Sequence, residues 1–168
     1  DLKDLRDLAE MRGTLQDLAS DARINLFVDT NRELAQGAGW FIQGNDPAAL
    51  DAFPAQELTR VVNTKVHRNW SDRWQIAARA AGDTDALRVL GTTGRMMARK
   101  DSPVWSQLGS SDNFDDALDN PFPPFAFNSG MDVRDIGYRE ALDLALVKAG
   151  EPVRPQLPDD LGHLFFTA

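Results

Sequence analysis

Between positions 120 and 131 the chain reads Asn-Pro-Phe-Pro-Pro-Phe-Ala-Phe-Asn-Ser-Gly-Met, which sets Pro121, Pro123 and Pro124 among Phe122, Phe125 and Phe127. A proline lacks the backbone N–H that a helix or a central strand needs, and it biases its predecessor toward extended geometry. The segment cannot be helix, and three aromatic rings are too apolar to leave in water. We expect an ordered loop in which Phe122, Phe125 and Phe127, stiffened by Pro123 and Pro124, anchor to a core. Such a core is within reach. A chain of 168 residues, 42% of them hydrophobic, forms one domain that buries roughly 70% of its unfolded surface without disulfides or a metal.

The chain has no cysteine and only two histidines, His67 and His163, far apart in sequence. Thiolate nucleophiles, Fe–S clusters and zinc ribbons fall away on that count, and we expect neither a metal nor a cofactor. No apolar run approaches the ~20 residues that span a bilayer. The opening Asp-Leu-Lys-Asp-Leu-Arg-Asp is charged where a signal peptide would be apolar. A soluble chain with no membrane attachment and no targeting signal at this end is expected. Because it opens on Asp1, a processed product or part of something longer is expected as well.

Charge is unevenly spread. The formal net charge of -8 divides into -6 over residues 1–58, +6 over 59–100 and -8 over 101–168. Lys65, Arg68, Arg73, Arg79, Arg95, Arg99 and Lys100, in the basic segment 60–100, are candidate contacts to nucleic acid or to an acidic partner surface. The simpler expectation is that this segment folds against the acidic thirds of the same chain, since an acidic protein is repelled as it nears DNA.

Periodicity supplies the elements. Leu2, Leu5, Leu8, Met11, Leu15, Leu18 and Ala22 recur at helical steps with charges opposite, which predicts an amphipathic helix over 1–21. Leu2, Leu5 and Leu8 are candidate docking contacts to a partner. A second helix follows through Ile24, Phe27, Val28, Asn31, Leu34, Ala35, Ala38, Phe41 and Ile42 to about Gly44. Its apolar face is expected to be buried, with Asn31 satisfying a nearby backbone group. Asp46-Pro47 caps a short helix through Leu50, and Pro54 is read as opening another that runs to about Val62.

Trp70 and Trp74 stand four apart, with Ser71 placed as a helix start and Gly82 as a stop, and should stack on one face with Ala77 and Ala78 beyond them. Thr84 to Leu90 reads as a short helix, and Arg95 to Lys100 as a short extended piece. Asp101 or Ser102 caps a turn from Pro103 that carries Trp105 and Leu108 inward, and residues 109–119 read as a surface loop. Met131 and Val133 form a short strand, and Tyr138 to Lys148 a helix ended by Gly150. Leu164, Phe165 and Phe166 close the tail and are candidate docking contacts for a core or a neighbouring subunit. The expected fold class is α+β: a mainly helical single domain with a few short strands and the ordered Pro/Phe loop. It divides into the helix 1–21, a core 22–150 and a docking tail 151–168.

An ordered series of segments carries a resemblance. It comprises Ala22 to Trp40 with its central Thr30 and Asn31, Pro54-Ala-Gln-Glu-Leu-Thr-Arg60, His67-Arg-Asn-Trp-Ser-Asp-Arg-Trp74, Gly94 to Trp105, the Pro-Phe-Pro-Pro-Phe loop and Ser129-Gly-Met-Asp-Val-Arg-Asp135. Together they resemble a divergent branch of the phage Mu F-type head morphogenesis family, over about residues 22–147. The resemblance implies a minor head protein of a phage or prophage-like particle, attached to the portal or inner capsid during head assembly. It also implies a place in the virion, with host cytoplasm as the site of assembly, and partners among portal or capsid proteins, packaged DNA and further copies of the chain. One departure matters. Many members close with a Pro-Pro-x-His-Pro-x-Cys-x-Cys-like segment, where this chain has Pro123-Pro124-Phe125-Ala126-Phe127-Asn128. No metal or disulfide is carried over, and burial of the phenylalanines is expected to supply the anchoring.

No constellation points to catalysis. His67, Arg68, Asp72 and Arg73 would make a poor acid–base site, because His67 precedes the helix that carries Asp72 and Arg73. Gly91-Thr-Thr-Gly94 lacks the GxxxxGK[ST] spacing of a phosphate loop. Asp112, Asp115, Asp116 and Asp119, with Asp132 and Asp135, lack the order of an EF-hand. We therefore expect no enzyme. The alternatives are a nucleic-acid-binding module using the basic segment and a toxin-like nuclease or transferase relying on His67.

Overall fold

The computed structural model describes residues 21–64 and 68–154. Residues 1–20 of the expected helix 1–21, residues 65–67 and residues 155–168 of the expected tail 151–168 lie outside the described residues, and with them Leu2, Leu5, Leu8, Lys65, His67, Leu164, Phe165 and Phe166. The described residues form a single small α+β domain with the elements α1 (Asp21–Gly44), α2 (Pro47–Ala52), β1 (Ala55–Arg60), α3 (Trp70–Ala81), α4 (Thr84–Thr93), β2 (Met96–Arg99), α5 (Val104–Leu108), β3 (Met131–Ile136) and α6 (Tyr138–Asp143). The strands make one antiparallel sheet in the order β2-β1-β3.

The helix expected after Pro54 is instead β1, the central strand. Ala-Gln-Glu-Leu carries good helix formers, yet four consecutive positions, Ala55 to Leu58, are buried, which the two faces of a strand between two neighbours require. Leu58 lies opposite Met96 and Val133, and Gln56 opposite Ala98 and Asp135. On the Leu58 face the core gathers Trp70, Trp74, Trp105, Leu108 and Phe125. On the Ala55 face it gathers Val89, Met97, Ile136, Ala141, Leu146 and Val147.

Caps fix where the helices run. Asp46 accepts a bond from Ala48 N–H, and Pro47 opens α2 as expected. The Asn69 side chain caps α3, which ends on Gly82 in the left-handed region at φ +67°. Asp83 then caps α4, and its second oxygen accepts from the Ser102 hydroxyl. Ser102 in turn accepts from Val104 N–H, which starts α5 and turns Trp105 and Leu108 inward. α4 continues past Leu90 to Thr93, whereas α6 stops at Asp143 and does not reach Lys148. The early stop has a packing cause: the chain turns through Ala145 at φ +52° and sends Leu146 and Val147 into the core. Arg88 from α4 donates to the Leu144 and Ala145 carbonyls, satisfying that turn.

The Pro/Phe loop is ordered and partly the clasp expected. Phe122 and Phe125 are buried, with Trp105 and Phe125 stacked at 6.1 Å and Trp74 edge-on to Trp105 at 5.1 Å. Such pairs add about 0.5–1.5 kcal/mol each beyond area burial. Phe127 departs from the expectation, being 47% exposed. Its backbone does the anchoring: its N–H donates to the Asp116 backbone carbonyl and its own carbonyl accepts from Arg68. Buried Asn120 donates to the Phe122 and Pro124 carbonyls, and the Pro123–Pro124 bond is cis.

Candidate functional site

Among the described residues, α1 meets the body along one face. Thr30, Gly37 and Ala38 are buried there, and Phe41 packs on Phe122 with ring centroids 5.3 Å apart. Gly37 is required at this contact, because a Cβ would collide with the Pro123 carbonyl. The stripe expected to be buried is buried only in part: Ala38 is enclosed and Asn31, Leu34 and Phe41 are half-buried. Ile24, Val28 and Ile42 are 48%, 57% and 41% exposed, and with exposed Ala35 and Gly39 they recur at steps of three, four and seven on an adjoining face. Phe27 is exposed as well. Asn31 donates to the Phe27 carbonyl at 2.8 Å, as expected of a polar residue in this helix.

Beneath the C-terminal half of α1 lies a groove of about 750 Å³, bounded by α1, α2, the sheet and the Pro/Phe loop. Trp40, Phe41, Ala49, Phe53, Phe122 and Val133 line it, with Gln56 and Lys100 as polar groups. Lys100 is 5% exposed. Its ammonium pairs with Asp135 at 2.8 Å and donates to the Gly44 carbonyl at 3.3 Å. A cation at that point complements the negative C-terminal pole of α1.

The basic segment is largely neutralised by its own chain. Arg68 and Arg73 share Asp116, at 2.5 and 2.6 Å. Arg68 also donates to the Phe127 and Asn128 carbonyls, which ties the start of α3 to the loop. The Arg73 guanidinium rests over Phe114 at 4.1 Å and Trp70 at 4.9 Å, and its Nε and Nη2 find no acceptor. Arg95 grips Glu57 through two nitrogens and reaches Glu140, and Arg134 reaches the same Glu57. Arg99 holds Asp101 with two bonds and Glu151 with a third. Exposed Arg79 bonds Gln75.

These partners shift the carboxyls. The Arg95 hydrogen bond holds Glu57 below its ordinary value, Arg134 adding to it, against an opposing effect of burial. Burial pushes Asp116 and Asp101 up, yet the bonds from Arg73 and Arg68, and from Arg99 and Arg154 N–H, outweigh it and leave both lowered. Arg95 and Arg99 are raised in turn, first by Glu57 and Asp101 respectively.

The remaining sequence candidates do not converge. Gly91-Thr-Thr-Gly94 forms the C-terminal end of α4, where the exposed carbonyls are the wrong pole for phosphate. Asp72 bonds Asn69, and Asp119 accepts from Ser111 N–H. Among the described residues no three His, Asp or Glu side chains gather as a metal site would need, and no helix is long and apolar enough to cross a membrane. Two features escaped the sequence. Asp116 lies 48 and 43 positions from its arginines, too far for local spacing to show, and the groove assembles from segments whose only common signal is an aromatic beside Gly or Pro, as in Gly39-Trp40 and Phe53-Pro54. No protein-family model matches the chain, and neither a curated protein nor a solved structure is significantly similar to it.

Proposed function

We propose that this chain is a structural minor head protein of a phage or prophage-like particle, attached to the portal or inner capsid during head assembly. The observation that carries this reading is the exposed apolar stripe of α1, Ile24, Val28 and Ile42 with Ala35 between them. Exposed apolar side chains at helical spacing are what helix-mediated attachment uses. The resemblance of residues 22–147 to Mu F-type domains supports the same reading. The nucleic-acid alternative has less support, because Arg68, Arg73, Arg95, Arg99 and Lys100 all pair with carboxylates. A nuclease or transferase has less still, since Asp72 and Arg73 are engaged with Asn69 and Asp116.

Fractionation of purified particles tests the proposal. The protein is expected in heads or in portal complexes, and Val28→Glu is expected to remove it from them while its far-UV circular dichroism stays unchanged. Absence of the unmodified protein from both fractions would overturn it.

A further inference from the structure

We propose that Leu164, Phe165 and Phe166, near the C-terminus of this same chain, occupy the groove between α1, α2 and the sheet. This inference does not rest on the head-protein reading. The groove needs an apolar occupant. Trp40 and Phe53 line it and yet are 60% and 43% exposed, and its volume lies in the range that encloses a few side chains.

The position of Arg154 and the length of chain that follows it favour the chain's own tail as the occupant. The backbone N–H of Arg154 donates to Asp101 at 3.1 Å, and Asp101 directly follows Lys100 of the groove. α2 separates the two places: Leu50 and Asp51 line a crevice with Pro152 and Val153, whereas Ala48, Ala49 and Phe53 line the groove. Arg154 therefore lies about one helix diameter, ~10 Å, from the groove. Residues 155–163 connect Arg154 to Leu164, and nine residues can span up to ~30 Å. A tether of that length sets an effective concentration in the millimolar range, which favours the chain's own apolar triplet over a separate molecule. Gln56 and Lys100 at the floor give polar groups to meet the backbone of such a segment.

The tryptophans provide the readout. Of the four, Trp70, Trp74 and Trp105 are buried in the core and Trp40 is not, so acrylamide quenching reports on Trp40 alone. In the full chain Trp40 is expected to be protected. The double variant Phe165→Ser/Phe166→Ser, and a chain ending at Arg154, are expected to raise the quenching constant at least twofold, and a synthetic peptide of residues 155–168 to reverse the rise. Should the shortened chain fail to fold, the double variant decides by itself.

A second measurement uses the absence of cysteine: Ala49→Cys/Phe165→Cys is expected to form an intramolecular disulfide on mild oxidation. Equal quenching in the full chain and the double variant would overturn the proposal. So would disulfide-linked dimers, which indicate the tail of a second copy. Protection of Trp40 that appears only after head or portal proteins are added would assign the groove to a partner and overturn it as well.

Discussion

Phe122 and Phe125, in the loop before β3, are buried, whereas Phe27 and Ile24, in α1, stand in water. Both regions are strongly apolar, and both are locally well specified, one by its prolines and the other by helical periodicity. They differ in what surrounds them. The loop is enclosed by α3, α5 and α1, so its rings meet Trp105 and Phe41. α1 meets the body on the face of Gly37, Ala38 and Phe41, and among the described residues no element lies opposite its adjoining face. An apolar stripe therefore states that a surface is to be covered and leaves open by what.

The sharpest way to break this contrast is Phe125→Ala. Truncating a fully buried phenylalanine costs about 3–5 kcal/mol, and thermal unfolding should fall by roughly 10 °C or leave no cooperative transition. Phe122→Ala is expected to behave similarly. An unchanged melting temperature in both would show that the loop is not a clasp.

Next in size is Glu57→Gln, which leaves Arg95 and Arg134 facing a neutral amide on the central strand. The expected loss is about 2 kcal/mol at pH 7, below the usual cost of breaking a buried pair because both arginines reach water. The sign with pH follows from the lowered carboxyls. Glu57, Asp101 and Asp116 stabilise the fold above their unfolded values of about 4.3, 3.9 and 3.9, and that stabilisation is lost as pH falls through the lowered values of the folded state. Chemical denaturation should give a stability that is flat between about pH 7 and 5 and declines below about 4. The difference between Glu57→Gln and the unmodified chain should shrink over the same acid range.

Gly37→Ala addresses the seam between the two regions. Its methyl would strike the Pro123 carbonyl, so a loss of about 1–3 kcal/mol is expected, with faster amide exchange along α1 and little change in α3. The smallest effects belong to exposed rings. Phe127→Ala and Val28→Glu are each expected to stay within about 0.5 kcal/mol of the unmodified stability, measured by the same denaturation. A large loss in either would mean that the side chain is covered in the folded protein.

Much of this arrangement was legible beforehand, and the reasons differ by element. Asp46-Pro47 and Gly82 carry their cap chemistry within a few residues, so α2 and the end of α3 follow from local rules, whereas α3 starts at Trp70 on an Asn69 cap, one residue before the Ser71 start expected. Trp70 and Trp74 share a helix face by spacing alone. β1 did not announce itself, because Gln56 and Glu57 are polar and only the pairing of Glu57 with Arg95 and Arg134 makes the burial of Glu57 tolerable. The end of α6 was hidden for the same reason: Arg88, 56 positions before Leu144, supplies the donor for its turn. Of the candidate site, the apolar stripe of α1 was visible and its exposure was not. The groove was invisible, since it exists only once α1 and α2 lie beside the sheet.

Lys100 has one further consequence. Four lysines occur in the chain, Lys3, Lys65, Lys100 and Lys148, and the amine of Lys100 is enclosed between the Gly44 carbonyl and Asp135. Reagents that acylate amines react with it only when the amine lets go of the Gly44 carbonyl and Asp135. In peptide mapping after brief exposure to such a reagent, the acyl mark on Lys100 thus becomes a clock for that release, with exposed Lys148 as the reference that reacts without it.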